Sequence, residues 1–245
     1  MQRIALVTGG MGGIGTAICQ TLFQKNIRVV AGYSRKEEAA KAWQNKQKEA
    51  GFTFEIAYAD VANFDSCDTM VKKIKQEVGP IDILVNNAGI THDAICDRMT
   101  KEDWDSVIQI DLNSVFYVTH AVIHDMIERK YGRIVNISSI NGQKGAYGQV
   151  NYAAAKAGIH GFTKALALEV AKAGITVNTV SPGYVETEMV HAMRNEIREK
   201  IISQIPMKRF ATSDEIAYVV VSLIDEKNTY MTGANIAING GYYMV

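Results

Sequence analysis

Cysteine and proline are scarce, three of each in 245 residues. Cys19, Cys67 and Cys96 are odd in number and widely separated, which excludes a disulfide framework and fits no zinc-ligand spacing. A reducing cytoplasm is the expected compartment. With so little proline and no linker-like, low-complexity or repeated stretch, nothing marks a domain boundary, so a single domain over residues 1–245 is expected. An excess of one charge is also missing. The 26 basic and 26 acidic side chains balance without a long single-sign block, which argues against nucleic acid or an anionic membrane as partner. No apolar run reaches membrane-spanning length, and the opening MQRIALVTGG lacks the basic and apolar regions of a signal peptide. The expectation is a soluble, unprocessed protein.

Short β-branched runs alternate with longer helix-compatible stretches along the whole chain. The runs are IALV at Ile4, RVVAGY at Arg28, FEIAY at Phe54, IDILVN at Ile81, RIVNIS at Arg133, TVNTVS at Thr176 and ANIAING at Ala234. They are apolar on both faces, as strands of a parallel sheet covered by helices on both sides should be. Stretches such as EEAAKAWQNKQKEAG and SCDTMVKKIKQEVG have amphipathic spacing and end at glycine, a helix stop. The pattern predicts an α/β fold with a doubly wound, seven-stranded parallel sheet of Rossmann type. The charged stretch from Arg35 to Glu49 reads as the solvated face of an outer helix.

Between the first strand and first helix lies TGGMGGIG, Thr8 to Gly15. Glycines there permit a tight turn and let backbone approach a pyrophosphate, whose charge meets the N–H groups opening the helix. Gly10, Gly12 and Gly15 fit the general dinucleotide fingerprint, whereas Thr8, Gly9, Gly13 and Gly15 fit a TGxxxGxG pattern. A second notable stretch is NYAAAKAG, Asn151 to Gly158. Residues four apart on a helix share a face, so Tyr152 and Lys156 point into one cleft. An ammonium beside a phenol favours the phenolate and draws its pKa of about 10 towards working pH, which suits Tyr152 to proton transfer. An isolated YxxxK is also what a chance amphipathic helix offers, so its neighbours matter.

Those neighbours are NNAG at Asn86 to Gly89, the serines ending RIVNISS, and SPG at Ser181 to Gly183, all at carboxyl ends of strands, where such sheets bind ligands. The ordered set resembles the short-chain dehydrogenase/reductase family over essentially the full length, and it selects the TGxxxGxG reading. The resemblance implies Ser139, Tyr152 and Lys156 as the catalytic residues. Ser139 would hydrogen-bond the substrate carbonyl oxygen, with Ser138 as the structural runner-up. Gly9, Gly13, Ile14 and Gly15 would hold the cofactor phosphates, Asp60 and Val61 its adenine, and Asn87, Ala88 and Gly89 the adenosine side. Pro182, Gly183 and Thr187 would cradle the nicotinamide end, with Lys156 also reaching its ribose. One departure stands out: where the family usually has an asparagine in a pattern like TNLxSVF, this chain reads IDLNSVF. Asp111 there could still accept hydrogen bonds as the asparagine does, or could hold Lys156 as an ion pair, which would alter the Tyr152 pKa and the proton relay, while Asn113, two positions off, should face elsewhere.

No acidic residue ends the second strand, where an NAD enzyme places one for the ribose 2′-hydroxyl. Ser34 and Arg35 stand there instead, and a guanidinium pairs with a 2′-phosphate, so NADPH is the expected cofactor. The loop INGQKGAYGQVN is similar to that of the acetoacetyl-CoA reductases within the family. That likeness implies a small-molecule acyl thioester substrate, with Tyr147, Gln149 and Tyr184 lining an acyl pocket and residues 185–206 forming a mobile lid. The expected reaction is reduction of acetoacetyl-CoA to (R)-3-hydroxybutyryl-CoA, a polyhydroxybutyrate precursor. The alternative is reduction of a 3-oxoacyl group on acyl carrier protein, an acidic partner that Arg129, Lys130, Arg133 and Lys172 would meet. From another class comes a non-catalytic NADPH-binding regulator, against which intact Ser139, Tyr152 and Lys156 speak. His120 and His124 lie four apart but lack an HExxH glutamate or third ligand, so no metal is expected. The tail ANIAINGGYYMV resembles the segment that packs across a two-fold axis in the family, implying a homotetramer.

Overall fold

The computed structural model describes residues 2–34, 36–187, 190 and 193–244. All seven expected strands form: β1 Ile4–Val7, β2 Arg28–Tyr33, β3 Glu55–Tyr58, β4 Ile83–Asn86, β5 Gly132–Ile137, β6 Ile175–Pro182 and β7 Asn235–Ile238. They make one all-parallel sheet in the order β3-β2-β1-β4-β5-β6-β7, the doubly wound arrangement that the alternating pattern predicts. The larger helices are α1 Gly13–Gln24, α2 Glu37–Glu49, α3 Phe64–Glu77, α4 Lys101–Ile108, α5 Ser114–Arg129, α7 Val150–Val170, α8 Asn195–Gln204 and α9 Ser213–Ile224, with α6 a single turn at Asn141–Lys144. None is long and apolar enough to cross a membrane, among the described residues.

Strand alternation explains why both faces of the sheet are covered. In β1, Ala5 and Val7 join a core with Ile18 and Leu22 of α1 and Ile216 and Val220 of α9. Ile4 and Leu6 turn the other way, into a core with Met70 of α3, Val118 and Met126 of α5 and Ala167 of α7. Each such side chain stabilises by about 1.5–3 kcal/mol when removed from water, so a polar substitution on either face opposes the fold. Along α7, Asn151, Ala155, Ile159, Thr163 and Ala167 are buried, a four-residue stripe that fixes the helix's rotation against the sheet.

Register then brings the functional loops to one level. Val7 pairs with Val85, Asn86 with Asn136 and Ile137 with Val180, so the segments after β1, β4, β5 and β6 emerge together at the carboxyl edge. Between α4 and α5 the chain makes a π-helical turn at Gln109–Asn113, which nothing in the hydrophobic spacing foretold.

Helix α9, which covers α1, opens with a capping box: Thr212 accepts from Glu215 N, and Glu215 accepts from Thr212 N at 2.8 Å. The Arg209 guanidinium, bonded to both Glu215 oxygens, and then the Thr212 N–H hold that carboxyl down at about 2, against 4.5 ordinarily. Because the folded value lies below the unfolded one, the stabilisation is present above about pH 4.5 and is lost as pH falls through about 2. Glu215→Gln is therefore expected to lower the melting temperature at neutral pH, by a modest amount because the pair is exposed. The gap to wild type should close on acidification, and a gap of constant size down to about pH 2 would reject this account.

Candidate active site

Two ends of one cleft take shape at the carboxyl edge. At the first, Gly9 adopts φ +60°, a left-handed conformation that favours glycine. A Cβ on Gly15 would sit 2.2 Å from Gly9 O and 2.9 Å from Asn87 Nδ2. Thr8 Oγ1 accepts from Asn87 N at 2.9 Å and Ala88 N at 3.1 Å, while Asn87 Nδ2 donates to Thr8 O at 3.0 Å and Gly9 O at 3.1 Å. The Asn87 side chain thus braces the turn from below, and the Thr8, Gly9, Gly15 reading describes the geometry better than the Gly10, Gly12, Gly15 one. Gly10 serves packing, since its Cβ would press on Ala31 at 2.9 Å. Helix α1 starts with no side-chain cap and no acidic residue in its first turn, unlike α4 and α9 with their capping boxes. Its leading N–H groups are left for an anion.

Beside this turn a cavity is lined by Thr8, Gly32, Ser34, Ala59, Val61 and Ala88, bringing together the ends of β1, β2, β3 and β4. Ser34, Val61, Ala88 and Gly9 are thereby neighbours, as expected. Asp60 is exposed, one of its oxygens accepting from Ala62 N at 3.1 Å. Ile14 packs partly against the core. Thr187 crosses the start of α1, with its methyl 3.1 Å from where a Gly13 Cβ would be. Gly183 N donates to Ile238 O at 2.9 Å and Pro182 O accepts from Ile140 N at 2.8 Å, so this segment ties β6 to β7 and to the Ser139 loop. Arg35 lies outside the described residues.

At the second end, α7 carries Tyr152 and Lys156 towards the end of β5. Ser139 Oγ accepts from Asn141 N at 3.1 Å and lies beside the Tyr152 phenol, on which it acts in the lowering direction. Ser138 instead donates to Lys156 O at 2.8 Å, so its hydroxyl is committed to the backbone of α7. Lys156 Nζ lies 5.5 Å from the centre of the Tyr152 ring, donates to Ile137 O at 3.1 Å and sits 3.1 Å from Asp111 Oδ2. Asn113 turns to Gln109 at 2.8 Å, away from the cleft. Gly89 makes the crowding possible, since a Cβ there would lie 2.7 Å from Asp111 Oδ2 and 3.3 Å from Lys156 Nζ.

The charge balance differs from the expectation of a lowered phenol. Burial pushes the Tyr152 phenol above its ordinary range, and Asp111 and Asp93 push the same way, against the lowering by Lys156 and Ser139. Tyr152 therefore holds its proton at neutral pH, as an acid must. Burial works against the Lys156 charge, but Asp111 and then Tyr152 outweigh it and keep the ammonium. Burial raises the Asp111 carboxyl, with Lys156 and the Ile90 N–H opposing.

The intended acyl-pocket residues are distributed unequally. Gln149 donates to both oxygens of Asp93 at 3.0 Å and accepts from Asn141 at 2.8 Å, bridging the cleft mouth. Tyr184 packs with Phe210 and Tyr242, ring centres 5.9 and 6.1 Å away. Tyr147 is 92% exposed. In the lid segment, Val190 and Ile205 join Phe210 in a small core, while residues 188, 189, 191 and 192 lie outside the described residues. Sequence reading missed Asp93, which had no motif around it, and Asn151, whose amide ties α7 to His92 O and Asp103 O at 3.0 Å.

Two of the four basic residues suggested for carrier docking are engaged within the protein. Arg129 is held by Asp82, and Arg133 is buried, donating to Gly132 O and Gly174 O beside the Tyr131 ring. Both, with Lys130 and Lys172, sit at the amino ends of β5 and β6, the opposite edge from Tyr152. His120 nests among Phe64 and Phe116, His124 faces Glu128 at 3.3 Å, and no metal-binding cluster occurs among the described residues.

Comparison with known proteins agrees with this geometry. The short chain dehydrogenase family matches residues 3–198, and the chain belongs to that family. It is 53% identical to acetoacetyl-CoA reductase from Cupriavidus necator over 243 residues, 99% of each chain. It is 54% identical to the enzyme of that name from Allochromatium vinosum over 245 residues, the whole of both. A 3-oxoacyl-[acyl-carrier-protein] reductase from Buchnera aphidicola is 45% identical over 243 residues, 99% of this chain and 98% of that one. Membership implies an oxidoreductase with a nicotinamide cofactor, and the glycine turn, uncapped α1 and adjoining cavity fit one. Gly15→Ala must distort that turn; at about 2 kcal/mol of strain, cofactor affinity is expected to fall roughly thirtyfold. Fluorescence titration with NADPH checks this, and unchanged affinity would remove the turn from the binding site.

Proposed function

We propose that this chain reduces a short 3-oxoacyl thioester with NADPH, taking acetoacetyl-CoA to (R)-3-hydroxybutyryl-CoA, a precursor of polyhydroxybutyrate, in the cytoplasm. The observation that carries the proposal is the convergence of Ser139, Tyr152 and Lys156 at one end of a cleft whose other end suits a dinucleotide. The relatives' names supply the substrate class. Absence of a carboxylate at the end of β2, where Tyr33 and Ser34 stand, favours a 2′-phosphate, and Arg35 is its intended partner.

Each residue has a separate task. Ser139, whose oxygen already accepts from Asn141 N, is left with its O–H to donate to the keto oxygen. That bond strengthens as negative charge grows there. A bound nicotinamide supplies hydride to the keto carbon. Tyr152 transfers its proton to the keto oxygen, completing the hydroxyl. Lys156 stabilises the phenolate left behind, which regains a proton from solvent before the next turnover. Tyr184, with Gln149 at the mouth, bounds the acyl group.

Reduction of the carrier-protein thioester is the second reading, supported by the Buchnera relative. The basic residues suggested for carrier docking lie at the far edge of the sheet and lend it nothing. A homotetramer is part of the proposal whichever thioester is reduced, supported by Phe64 and Phe116, whose rings lie 6.4 Å apart at a tilt and remain exposed on α3 and α5.

Absorbance of NADPH should fall rapidly with acetoacetyl-CoA and purified protein, and that of NADH much more slowly. Equal rates would remove the 2′-phosphate preference; no oxidation of either would remove the substrate. In Tyr152→Phe the loss of the proton donor is expected to cost about 10²- to 10⁴-fold in kcat with NADPH binding retained. Turnover at the wild-type rate would leave the chain without its assigned acid.

A further inference from the structure

Asp111 is fully buried and reaches the cleft from the π-helical turn, an irregularity that recurs at functional positions. Its carboxylate meets donors from two other elements. Oδ1 accepts from Ile90 N at 2.8 Å, in the loop after β4, and Oδ2 faces Lys156 Nζ at 3.1 Å. That second contact is off the hydrogen-bonding line, for Oδ2 makes no hydrogen bond, so it acts mainly through charge. The carboxylate thus serves the Ile90 N–H by a hydrogen bond and the Lys156 ammonium by its charge. An asparagine of the same shape has one acceptor oxygen and would turn its NH₂ on either the Ile90 N–H or the ammonium.

Lys156 is as deeply placed, at 3% exposure, and in so dry a site an unopposed ammonium acts strongly on any neighbouring acid. We propose that Asp111 is a positioning residue that holds the Lys156 ammonium and offsets part of its pull on the Tyr152 phenol, so that Tyr152 keeps its proton until the keto oxygen takes it. This rests on the role assigned to Tyr152 above. The groups facing the phenol are Lys156 from α7, Asp111 from the π-helical turn, Ser139 from the end of β5 and Asp93 from the loop after β4. Of the two carboxylates, Asp111 has the larger effect and acts in the raising direction.

Reduction needs Tyr152 protonated, so activity declines as pH rises through the phenol's pKa. Taking away the Asp111 charge leaves Lys156 unopposed and lowers that pKa. In Asp111→Asn the alkaline limb of the kcat profile for acetoacetyl-CoA reduction is therefore displaced to lower pH. A purely structural role would reduce kcat or the melting temperature at all pH values and leave the limb where it is, which would overturn the proposal. Asp111→Ala carries the same expectation and avoids setting an amide against the ammonium, should the asparagine variant not fold. Titration of the near-ultraviolet phenolate band, taken as the difference from the matching Tyr152→Phe protein, reads the same shift without substrate. A displaced band in a protein that does not reduce acetoacetyl-CoA supports Asp111 and rejects the substrate. An unmoved band in an active enzyme rejects Asp111 alone.

Discussion

A cationic side chain with 3% of its surface in water is the constraint around which the cleft is built. A buried ammonium left alone costs several kcal/mol, and Lys156 avoids that by drawing on two other elements, while Ser138 ties its backbone to the end of β5. Its Nζ takes a carbonyl from β5 and a carboxylate from the π-helical turn, while its own carbonyl accepts the Ser138 hydroxyl. These partners lie far apart in the chain, so the charge is tolerable only when β5, α7 and the turn before α5 stand in register. Gly89 leaves the space in which that meeting takes place.

The glycine-rich turn follows the same logic with opposite charge. Thr8 and Asn87 satisfy one another's backbone groups and hold the turn open, while the start of α1 is left without a cap. One end of the cleft presents an uncapped helix start suited to phosphate, and the other presents a protonated phenol backed by a paired ammonium. The two lie side by side because the parallel register brings the ends of β1, β4, β5 and β6 to a common level.

The opposite edge of the sheet is committed to stability. Asp82 accepts from Ile4 N at 3.1 Å and is paired with Arg129, and Arg3 and Arg133 lie over Tyr131 at 3.6 and 4.7 Å. Cation and aromatic contacts of this kind contribute about 0.5–2 kcal/mol each. They pin the amino ends of β1, β4 and β5, and Arg129 and Arg133, which look available for docking in the sequence, are engaged there.

Alternation of β-branched runs with amphipathic stretches was enough to determine seven strands and a doubly wound sheet, because each signal depends on neighbours a few residues apart. The pair Tyr152 and Lys156 was equally legible, since helical geometry alone places positions four apart on one face. Which serine faces the phenol, however, depended on the twist at the end of β5, and Tyr147 went to solvent although it shares a motif with Gln149. The direction of the Tyr152 shift was misjudged from sequence, where the nearby lysine is visible but burial is not, and neither is the carboxylate brought in from forty-one positions away. Local spacing decided the elements and which side chains share one helix face. Tertiary structure alone decided their protonation and their partners, because desolvation and charge pairing arise only where distant segments meet.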